Sequence, residues 1–144
     1  MRWFLLDRIE RCEPGISLDA VKCFSRSELF FSDHFKNKPI VPAVLQIEMM
    51  AQAAGKCLRL YDNSKLPVIG SVKASKFYHN IIPGDKCHVY MTITKKAKSY
   101  ALASGHVEVD GKKVSTATIM FALTPAPIME DQLINEWKHS QGQN

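Results

Sequence analysis

A histidine and a glutamate in one stretch of the chain carry side chains suited to proton transfer. His34 lies in a polar segment, and neutral imidazole can accept a proton near physiological pH. Glu48 follows fourteen residues later, among apolar neighbours. An unpaired carboxylate in apolar surroundings costs roughly several kcal/mol, so this group must be paired, protonated or facing a cavity. A protonated carboxyl held in such a place is what a general acid requires.

Each of these two residues also has a simpler interpretation. A single histidine in a loop is most often solvated and has no catalytic role. A glutamate in an apolar helix can lie at an exposed seam or meet a structural lysine or arginine. The helix pattern alone does not separate these alternatives, so both stay open.

One long helix is predicted directly after the histidine segment. Pro42 suits its first turn, because the fixed φ of proline is helical and an N–H there would have no partner. Ala43–Tyr61 contains no proline and is rich in good helix formers. Its first thirteen residues include only three polar side chains, those of Gln46, Glu48 and Gln52. A helix that is apolar on every face is usually buried in the middle of a domain.

Strands are predicted before and after this helix. Alternation of apolar and polar residues places them at 3–10, 16–24, 67–78, 86–95, 100–109 and 113–124. Asp110-Gly111 predicts a tight hairpin between the last two strands. This order favours an α+β domain in which a curved antiparallel sheet wraps one long apolar helix. A short helix is predicted at 129–139, where it would pack on a neighbouring subunit or form a partly ordered tail.

Length and composition indicate one globular domain. The 144 residues are enough to bury a sizeable core, and 46% of them are hydrophobic and 23% charged. The net charge of +5 favours an acidic partner without identifying it. The chain has no aromatic-basic RNA motif, zinc-finger spacing or basic arm, so we do not expect it to bind nucleic acid.

The cysteines and the first residues indicate a cytoplasmic protein. The four cysteines form no Cys-x-x-Cys pair, which favours reduced buried thiols over a metal site or a disulfide framework: Cys12, Cys23, Cys57 and Cys87. Charged residues occur too early for a secretory signal. No apolar run approaches the length of a membrane span. We therefore expect neither a membrane span nor a bound metal.

The stretch around His34 and Glu48 resembles the signature of the FabZ-type (3R)-hydroxyacyl-acyl carrier protein dehydratases, which have the hotdog fold. That signature runs roughly Gly-His-Phe-Pro-Gly-x-Pro-x-x-Pro-Gly-Val-Leu-x-x-Glu-x-x-Ala-Gln. The matching residues are His34, Phe35, Pro39, Pro42, Val44, Leu45, Glu48, Ala51 and Gln52. The resemblance implies a hotdog dehydratase domain at 1–124, followed by a C-terminal appendage at 125–144.

The resemblance also implies a reaction and roles for residues. The reaction is removal of water from a (3R)-3-hydroxyacyl thioester to give the trans-2-enoyl thioester, in fatty acid or related lipid biosynthesis. His34 would remove the proton at C2, and Glu48 would protonate or orient the departing hydroxyl. The backbone N–H groups of Ala43 and Val44 would bind the thioester oxygen. Three side chains are expected along the substrate tunnel: Phe31, Phe35 and Gln52.

Partners follow from the same resemblance. In this family the histidine and the glutamate of one site come from two subunits, which implies an active homodimer and, in many relatives, a homohexamer built as a trimer of dimers. The substrate arrives on the phosphopantetheine arm of acyl carrier protein, which is acidic, and no metal or organic cofactor is needed. Basic side chains could form a matching rim: Lys36, Lys38, Lys73 and Lys76, with Lys95, Lys96 and Lys98 as further candidates.

The chain departs from the family signature at three places, and three alternatives remain open. Asp33 and Lys36-Asn37 replace Gly and Pro-Gly, and Ala43 adds a methyl group where the thioester must approach. We expect the methyl group of Ala43 to alter the accepted substrate shape or lower the rate without abolishing activity. One alternative is a hotdog acyl-thioesterase, which would not need the histidine element. The others are a dehydratase-isomerase, which carries Asp in place of Glu48, and a non-catalytic hotdog subunit that binds acyl carrier protein.

Overall fold

The structure is a computed structural model that describes residues 4–127 and 130–142. Its helices and strands, in chain order, are β1 (Arg8–Glu13), β2 (Ser17–Cys23), a 3-10 turn (Leu29–Ser32), α1 (Ala43–Tyr61), β3 (Lys65–Phe77), β4 (Lys86–Lys96), β5 (Tyr100–Val109), β6 (Lys112–Pro125) and α2 (Gln132–Ser140).

The six strands form one antiparallel sheet in the order β1-β2-β4-β5-β6-β3. β1 and β3 are therefore its two edges. The helix α1 packs across one face of the sheet and contacts five of the strands, β2 to β6. This arrangement confirms the predicted α+β domain with one long helix wrapped by a curved sheet.

The core lies between α1 and the sheet. Met49, Met50, Ala53 and Ala54 on the inward side of α1 have no exposed surface. Every second residue of each central strand points towards them, as on β4, where Val89 is fully buried. Burial of these apolar side chains, at roughly 25 cal/mol per Å², fixes the position of the helix on the sheet.

The predicted hairpin between β5 and β6 is confirmed. Asp110 has φ of 51° and Gly111 has φ of 77°. Two consecutive positive φ angles make a type I′ turn, whose twist matches that of the strands it joins. The pairing of Val109 with Lys112 closes the hairpin directly after the turn.

The first strand was predicted wrongly at 3–10. β1 begins at Arg8 and ends at Glu13. Leu5 and Leu6 are buried, but their segment does not join the ladder, and the N–H of Leu5 donates to the side chain of Gln52. Leu5 and Leu6 are buried because they pack in the core. An apolar sequence pattern does not distinguish such packing from pairing in a strand. Trp3, included in the prediction, lies outside the described residues.

The C-terminal helix is confirmed as an element, with different ends. α2 begins at Gln132 and ends at Ser140, and Met129 in the predicted range lies outside the described residues. Leu133 and Ile134 are buried in the same core as α1, and the helix contacts β1 of its own chain. It is therefore neither a loose tail nor a helix that needs a second subunit to cover its apolar side.

Candidate active site

His34 lies in a loop that backbone hydrogen bonds hold on both sides. Its N–H donates to the carbonyl of Phe30 at 3.0 Å, and its carbonyl accepts from the N–H of Ile40 at 2.8 Å. Phe35 and Lys38 exchange two further backbone bonds at 3.1 and 3.0 Å. The peptide bond between His34 and Phe35 is cis, and their rings stack with centroids 4.5 Å apart. The loop therefore fixes the backbone from which the imidazole projects.

The imidazole of His34 is oriented by one carbonyl group. Nδ1 lies 3.2 Å from the carbonyl oxygen of Ile40. A carbonyl can only accept a hydrogen bond, so the neutral ring must carry its proton on Nδ1 and its lone pair on Nε2. A ring held through one nitrogen with the other free to accept a proton is suited to act as a general base.

The start of α1 borders the same cavity as His34. This cavity has a volume of about 440 Å³ and is lined by His34, Ala43 and Gln46 together with the end of β3 and the residues after it: Phe77, Tyr78, His79 and Asn80. In the first turn of a helix the N–H groups have no carbonyl one turn earlier. Those of Ala43 and Val44 fall in this turn, and the Val44 side chain is 70% exposed. N–H groups in such a position can bind an oxygen that develops negative charge.

Glu48 is half-buried and lines a different cavity, of about 430 Å³. Its Oε1 accepts a hydrogen bond from Nε2 of Gln52 at 3.2 Å. Within the described part of the chain, Glu48 forms no ion pair. Of the possibilities that its apolar neighbours left open, the structure supports a carboxyl group that faces a cavity.

Two basic side chains line the cavity of Glu48, yet both have other partners. Lys56 pairs with Asp131 at 2.8 Å. Arg59 donates to Asn63 at 2.8 Å and, at 3.4 Å, to the carbonyl of Lys65. The alternative that Glu48 is a structural residue neutralised by a nearby cation is therefore not supported.

His34 and Glu48 do not share a cavity within one chain. A helix turns about 100° per residue, so Glu48 lies about 200° around α1 from Gln46, which borders the His34 cavity. The strand β3 connects the two places, because residues 66–69 line the cavity of Glu48 and Phe77 lines that of His34. One chain thus presents the proposed base and the proposed acid on opposite sides of the same helix.

Gln52 was predicted to line the substrate tunnel. It lines the cavity of Glu48 and also hydrogen-bonds the Glu48 carboxyl group. Its Oε1 accepts from the N–H of Leu5 at 3.1 Å, which leaves its Nε2 to donate to Glu48. Sequence reasoning missed this link because Leu5 precedes Gln52 by 47 residues. The only signal was the polar side chain itself in an otherwise apolar helix.

The two aromatic rings predicted for the tunnel lie in different surroundings. Phe31 is 5% exposed and packs in the core, with its ring centroid 4.6 Å from that of Phe30. Phe35 is 56% exposed on the His34 loop. In the described part of the chain neither ring lines the cavity of His34 or that of Glu48.

The predicted carrier-binding lysines are all exposed. Lys36 and Lys38 lie on the His34 loop, and Lys73 and Lys76 lie on the edge strand β3. Lys76 directly precedes Phe77, which lines the His34 cavity. Part of the basic surface is therefore adjacent to the mouth of this cavity.

Three negative findings concern residues 4–127 and 130–142. No helix in these ranges is both long and apolar enough to cross a bilayer. No group of three or more His, Cys, Asp or Glu side chains in them could hold a metal ion. Their four cysteines are free thiols.

Comparison with solved structures defines the fold. The dehydratase heterocomplex ApeI:P from Xenorhabdus doucetiae superposes with a TM-score of 0.70 at 15% identity, covering 94% of this chain and 88% of that one. A hypothetical thioesterase with coenzyme A from Streptococcus pneumoniae TIGR4 gives 0.68 at 11% identity, over 82% and 85% of the two chains. These likenesses show the hotdog fold alone.

Sequence comparison then defines the class of protein, because a family model described as a FabA-like domain matches residues 2–118. The 3-hydroxyacyl-[acyl-carrier-protein] dehydratase FabZ of Ruminiclostridium cellulolyticum is 36% identical over 126 residues, which are 86% of this chain and 89% of that protein. FabZ of Pseudoalteromonas translucida is 35% identical over 122 residues, 82% and 81% of the two chains. The chain belongs to the FabZ-type dehydratase family, whose members are hydro-lyases.

Proposed function

We propose that the protein removes water from (3R)-3-hydroxyacyl-acyl carrier protein to give trans-2-enoyl-acyl carrier protein, in fatty acid or related lipid biosynthesis. One observation carries this proposal. The imidazole of His34, held through Nδ1 by the carbonyl of Ile40, borders the same cavity as the start of α1. A thioester in this cavity could then meet both the proposed base and the N–H groups at the start of the helix.

The chemistry assigns each group one step. Nε2 of His34 takes the proton from C2, which is only weakly acidic in a thioester. The N–H groups of Ala43 and Val44 stabilise the charge that moves to the thioester oxygen. Glu48 gives a proton to the hydroxyl at C3, the C3–O bond breaks, and water leaves as the double bond forms. His34 then returns its proton to solvent and Glu48 regains one.

One complete site uses His34 of one subunit and Glu48 of a second copy. The edge strand β3 supports this assignment, because four of its apolar side chains are between 39% and 45% exposed: Val68, Ile69, Val72 and Phe77. A long exposed edge with apolar side chains favours association and is normally covered.

Antiparallel pairing of β3 with the same strand of a second copy would join the two cavities. In such a symmetric pair the start of one strand lies opposite the end of the other. Residues 66–69, beside Glu48, would then face Phe77, beside the His34 of the partner. A homodimer is therefore the proposed active unit. A homohexamer of three such dimers is proposed from the family resemblance alone.

The proposed partner is acyl carrier protein, and the proposed compartment is the cytoplasm. The phosphopantetheine arm belongs to the substrate, so the proposed steps use only side chains and backbone of this chain and no further cofactor. Free cysteines fit a reducing compartment. Lys36, Lys38, Lys73 and Lys76 are the proposed contacts for the acidic carrier, because all four are exposed on the His34 loop and on β3.

Charge reversal tests the carrier surface. Lys73→Glu with Lys76→Glu is expected to raise KM for the carrier-bound substrate by about fivefold or more with little change in kcat, since rim charges act mainly on encounter. KM for a short pantetheine thioester should stay the same. The matched control is Lys112→Glu with Lys113→Glu on the β5–β6 hairpin. An equal rise in this control would assign the effect to net charge alone.

The first test of the function is hydration of crotonyl-acyl carrier protein, the reverse reaction. The unaltered protein should be active, whereas His34→Ala and Glu48→Gln should each lose about a thousandfold or more in kcat/KM. His139→Ala, on the exposed side of α2, is the control and should be unchanged. Release of free thiol would indicate a thioesterase. An inert protein that still binds the carrier on all chain lengths would indicate a non-catalytic subunit.

Mixing two inactive variants tests the shared site. Heterodimers of His34→Ala and Glu48→Gln subunits contain one intact site and one site that lacks both groups. After subunit exchange, random pairing should restore about a quarter of the original activity. A mixture that stays inactive while exchange is demonstrated would place both groups of each site in one subunit.

A further inference from the structure

The cavity of Glu48, of about 430 Å³, extends along one face of α1. Four helix residues that line it are spaced by four, three and four positions, which places them on the same face: Glu48, Gln52, Gly55 and Arg59. A helix rises about 1.5 Å per residue, so this row is roughly 16 Å long. A cavity of that length suits an extended chain better than a compact molecule.

The middle of the cavity has apolar walls and open space. The walls come from α1 and from two strands: Ala51, Leu66, Pro67, Val68, Ile69 and Phe121. A Cβ added at Gly55 would meet no heavy atom within 4 Å beyond its own part of the helix. The space beside Gly55 is therefore not filled by other side chains of the described residues. Such walls favour a chain of methylene groups, whose burial removes apolar surface from water.

Arg59, at the far end of the row, is a buried cation whose partners are neutral. It is 9% exposed and lies in the last turn of α1. It donates to Oδ1 of Asn63 at 2.8 Å and to the carbonyl of Lys65 at 3.4 Å. It forms no ion pair within residues 4–127 and 130–142. A guanidinium has five N–H donors and is unfavourable when buried without an anion, so Arg59 retains donors and charge for one.

The charges around Arg59 do not balance. Lys56 and Asp131, which also line the cavity, pair with each other at 2.8 Å and so compensate each other. The carbonyl end of α1 carries about half a negative elementary charge, which offsets only part of the charge of Arg59. This end of the cavity therefore keeps a net positive charge and favours an anion.

The proposed reaction directs the acyl chain into this cavity, and the present inference rests on that reaction. Glu48 acts on the hydroxyl at C3, while the thioester and the carrier arm lie beside His34 of the second copy. The carbons beyond C3 must then pass Glu48 on the side away from the carrier, where the apolar walls begin. The far end of a chain of medium length therefore comes to Arg59.

We propose that the cavity selects acyl chains whose far end carries a carboxylate, and that Arg59 is the residue that binds this group. The planar fork of a guanidinium matches the two oxygens of a carboxylate. A chain of the same length that ends in a methyl group leaves the buried cation without an anion and displaces water from it. The site therefore accepts the first chain and rejects the second.

The first test measures binding without turnover. The probes are saturated acyl-pantetheine thioesters that end in a carboxylate or in a methyl group and carry no hydroxyl that could leave. The row of roughly 16 Å calls for pairs of equal length with about ten to fourteen carbons. In calorimetry the unaltered protein should bind the carboxylate member at least about tenfold more tightly, and Arg59→Gln should bind both members about equally. No preference, or one that persists in Arg59→Gln, would overturn the proposal.

Two further variants separate recognition from a structural role. A structural defect at Arg59 would weaken both probes alike and leave their ratio unchanged. Arg59→Lys keeps the charge and should retain part of the preference, although it loses the fork. The matched control is Arg11→Gln, which removes an exposed arginine from β1, at the edge of the sheet opposite β3. A preference lost equally in Arg11→Gln would assign the effect to net charge and contradict the proposal.

Turnover separates this inference from the proposed reaction. The 3-hydroxyacyl-carrier substrates of the same two kinds should differ at least about tenfold in kcat/KM in favour of the carboxylate chain. Hydration of crotonyl-acyl carrier protein without any preference between the longer substrates or probes would overturn the carboxylate site and leave the dehydratase in place. Preferential binding of the carboxylate probe by a protein inert on crotonyl-acyl carrier protein would support the carboxylate site and overturn the proposed reaction.

Discussion

Gln52 joins Glu48 to the N-terminal segment, although its residue type suggested only a tunnel wall. The N–H of Leu5 occupies its oxygen, so its nitrogen is directed at the Glu48 carboxylate. Gln52 therefore holds Glu48, and the N–H of Leu5 in turn holds Gln52. The imidazole of His34 is held in a similar way, by a hydrogen bond from its Nδ1 to the carbonyl of Ile40. At the scale of single residues, one hydrogen bond from a neighbour in the same helix or loop holds each proposed catalytic side chain.

Gln52→Leu is expected to lower kcat by about tenfold or more while KM changes little, because Glu48 remains but is no longer oriented. The unpaired N–H of Leu5 should also cost about 1 to 3 kcal/mol in the free energy of unfolding. Steady-state kinetics and urea unfolding measure the two effects. The control is Gln132→Leu, since Gln132 also donates to a glutamate, Glu136, at 3.0 Å on an exposed surface. An unchanged kcat in Gln52→Leu would show that Gln52 does not orient Glu48.

Two aspartates are expected to affect stability with opposite signs. Burial raises the pKa of Asp19, so the folded state favours its protonated form and loses stability as pH rises above about 4. Hydrogen bonds from the hydroxyl and N–H of Ser64 lower the pKa of Asp62, so its contribution is present at neutral pH and is lost as pH falls. Asp19→Asn should therefore stabilise the protein at pH about 7, and Asp62→Asn should destabilise it.

Urea unfolding at pH about 7 and about 3 would measure both effects. Near pH 3 both carboxyl groups are largely protonated in the unfolded chain, so the gain from Asp19→Asn should shrink. The loss from Asp62→Asn should shrink there as well. A gain from Asp19→Asn that is equal at both pH values would show that its carboxylate is not disfavoured by folding.

Among the elements, α2 shows how a segment outside the family signature becomes part of the domain. Asp131 accepts from the N–H of Ile134 at 3.1 Å and so caps the helix. The same carboxylate pairs with Lys56 of α1 at 2.8 Å, where both side chains are largely buried. One residue thus begins the helix and joins it to α1, beside the cavity of Glu48.

Asp131→Ala is expected to destabilise the protein by about 2 kcal/mol or more, because it removes the cap and leaves Lys56 without its partner. Asp131→Asn should cost less, since its amide oxygen can still cap the helix. Denaturant unfolding would rank the two variants. Glu130→Ala, which removes an exposed acid from the same helix start, should stay within about 0.5 kcal/mol of the original. Equal losses for Ala and Asn would show that the cap contributes nothing.

The strand β3 illustrates a different limit at this scale. Alternation at Val68, Gly70 and Val72 correctly predicted a strand. Alternation predicts which side chains share a face, but the ladder shifts register between Ile69 and Ser71. Val68 therefore lies opposite Ala122 and Val72 opposite Ile119, on different faces of the sheet. In the structure Val68 and Val72 are 45% and 39% exposed at the edge of the sheet. The strand β3 therefore presents apolar side chains that no other part of this chain covers in the described residues.

For the whole molecule, Val72→Lys is the sharpest test of that edge. Val72 lies opposite the buried Ile119, so a charge there should prevent pairing of two copies, because it would have to be desolvated between them. Lys76 lies opposite Thr116 and therefore projects from the other face of the sheet. We expect a monomer in sedimentation or light-scattering measurements, with the far-ultraviolet circular dichroism of the original and almost no dehydratase activity. Ile16→Lys, at an exposed apolar position in the β1–β2 turn, is the matched control. A stable, active dimer of Val72→Lys would rule out this interface.

The sequence by itself determined the identity of nearly every element, and its resemblance to the FabZ-type signature indicated the hotdog class and the two residues proposed to transfer protons. These features are local, because helix and strand periods, Pro42 at a helix start and Asp110-Gly111 in a hairpin act over a few residues. The extent of β1 was wrong for the same reason, since the apolar run at Leu5 and Leu6 indicates burial without saying what pairs with it.

Only the tertiary structure decided which distant segments meet. It brought Leu5 to Gln52, Glu13 to Cys57 and Asp131 to Lys56, and it placed His34 and Glu48 at separate cavities. None of these contacts leaves a periodic signal, because each depends on strand order and on the rotation of α1 against the sheet. The separation of base and acid within one chain is the most consequential of them. Because of this separation, the proposed reaction requires a second copy of the chain to pair with β3.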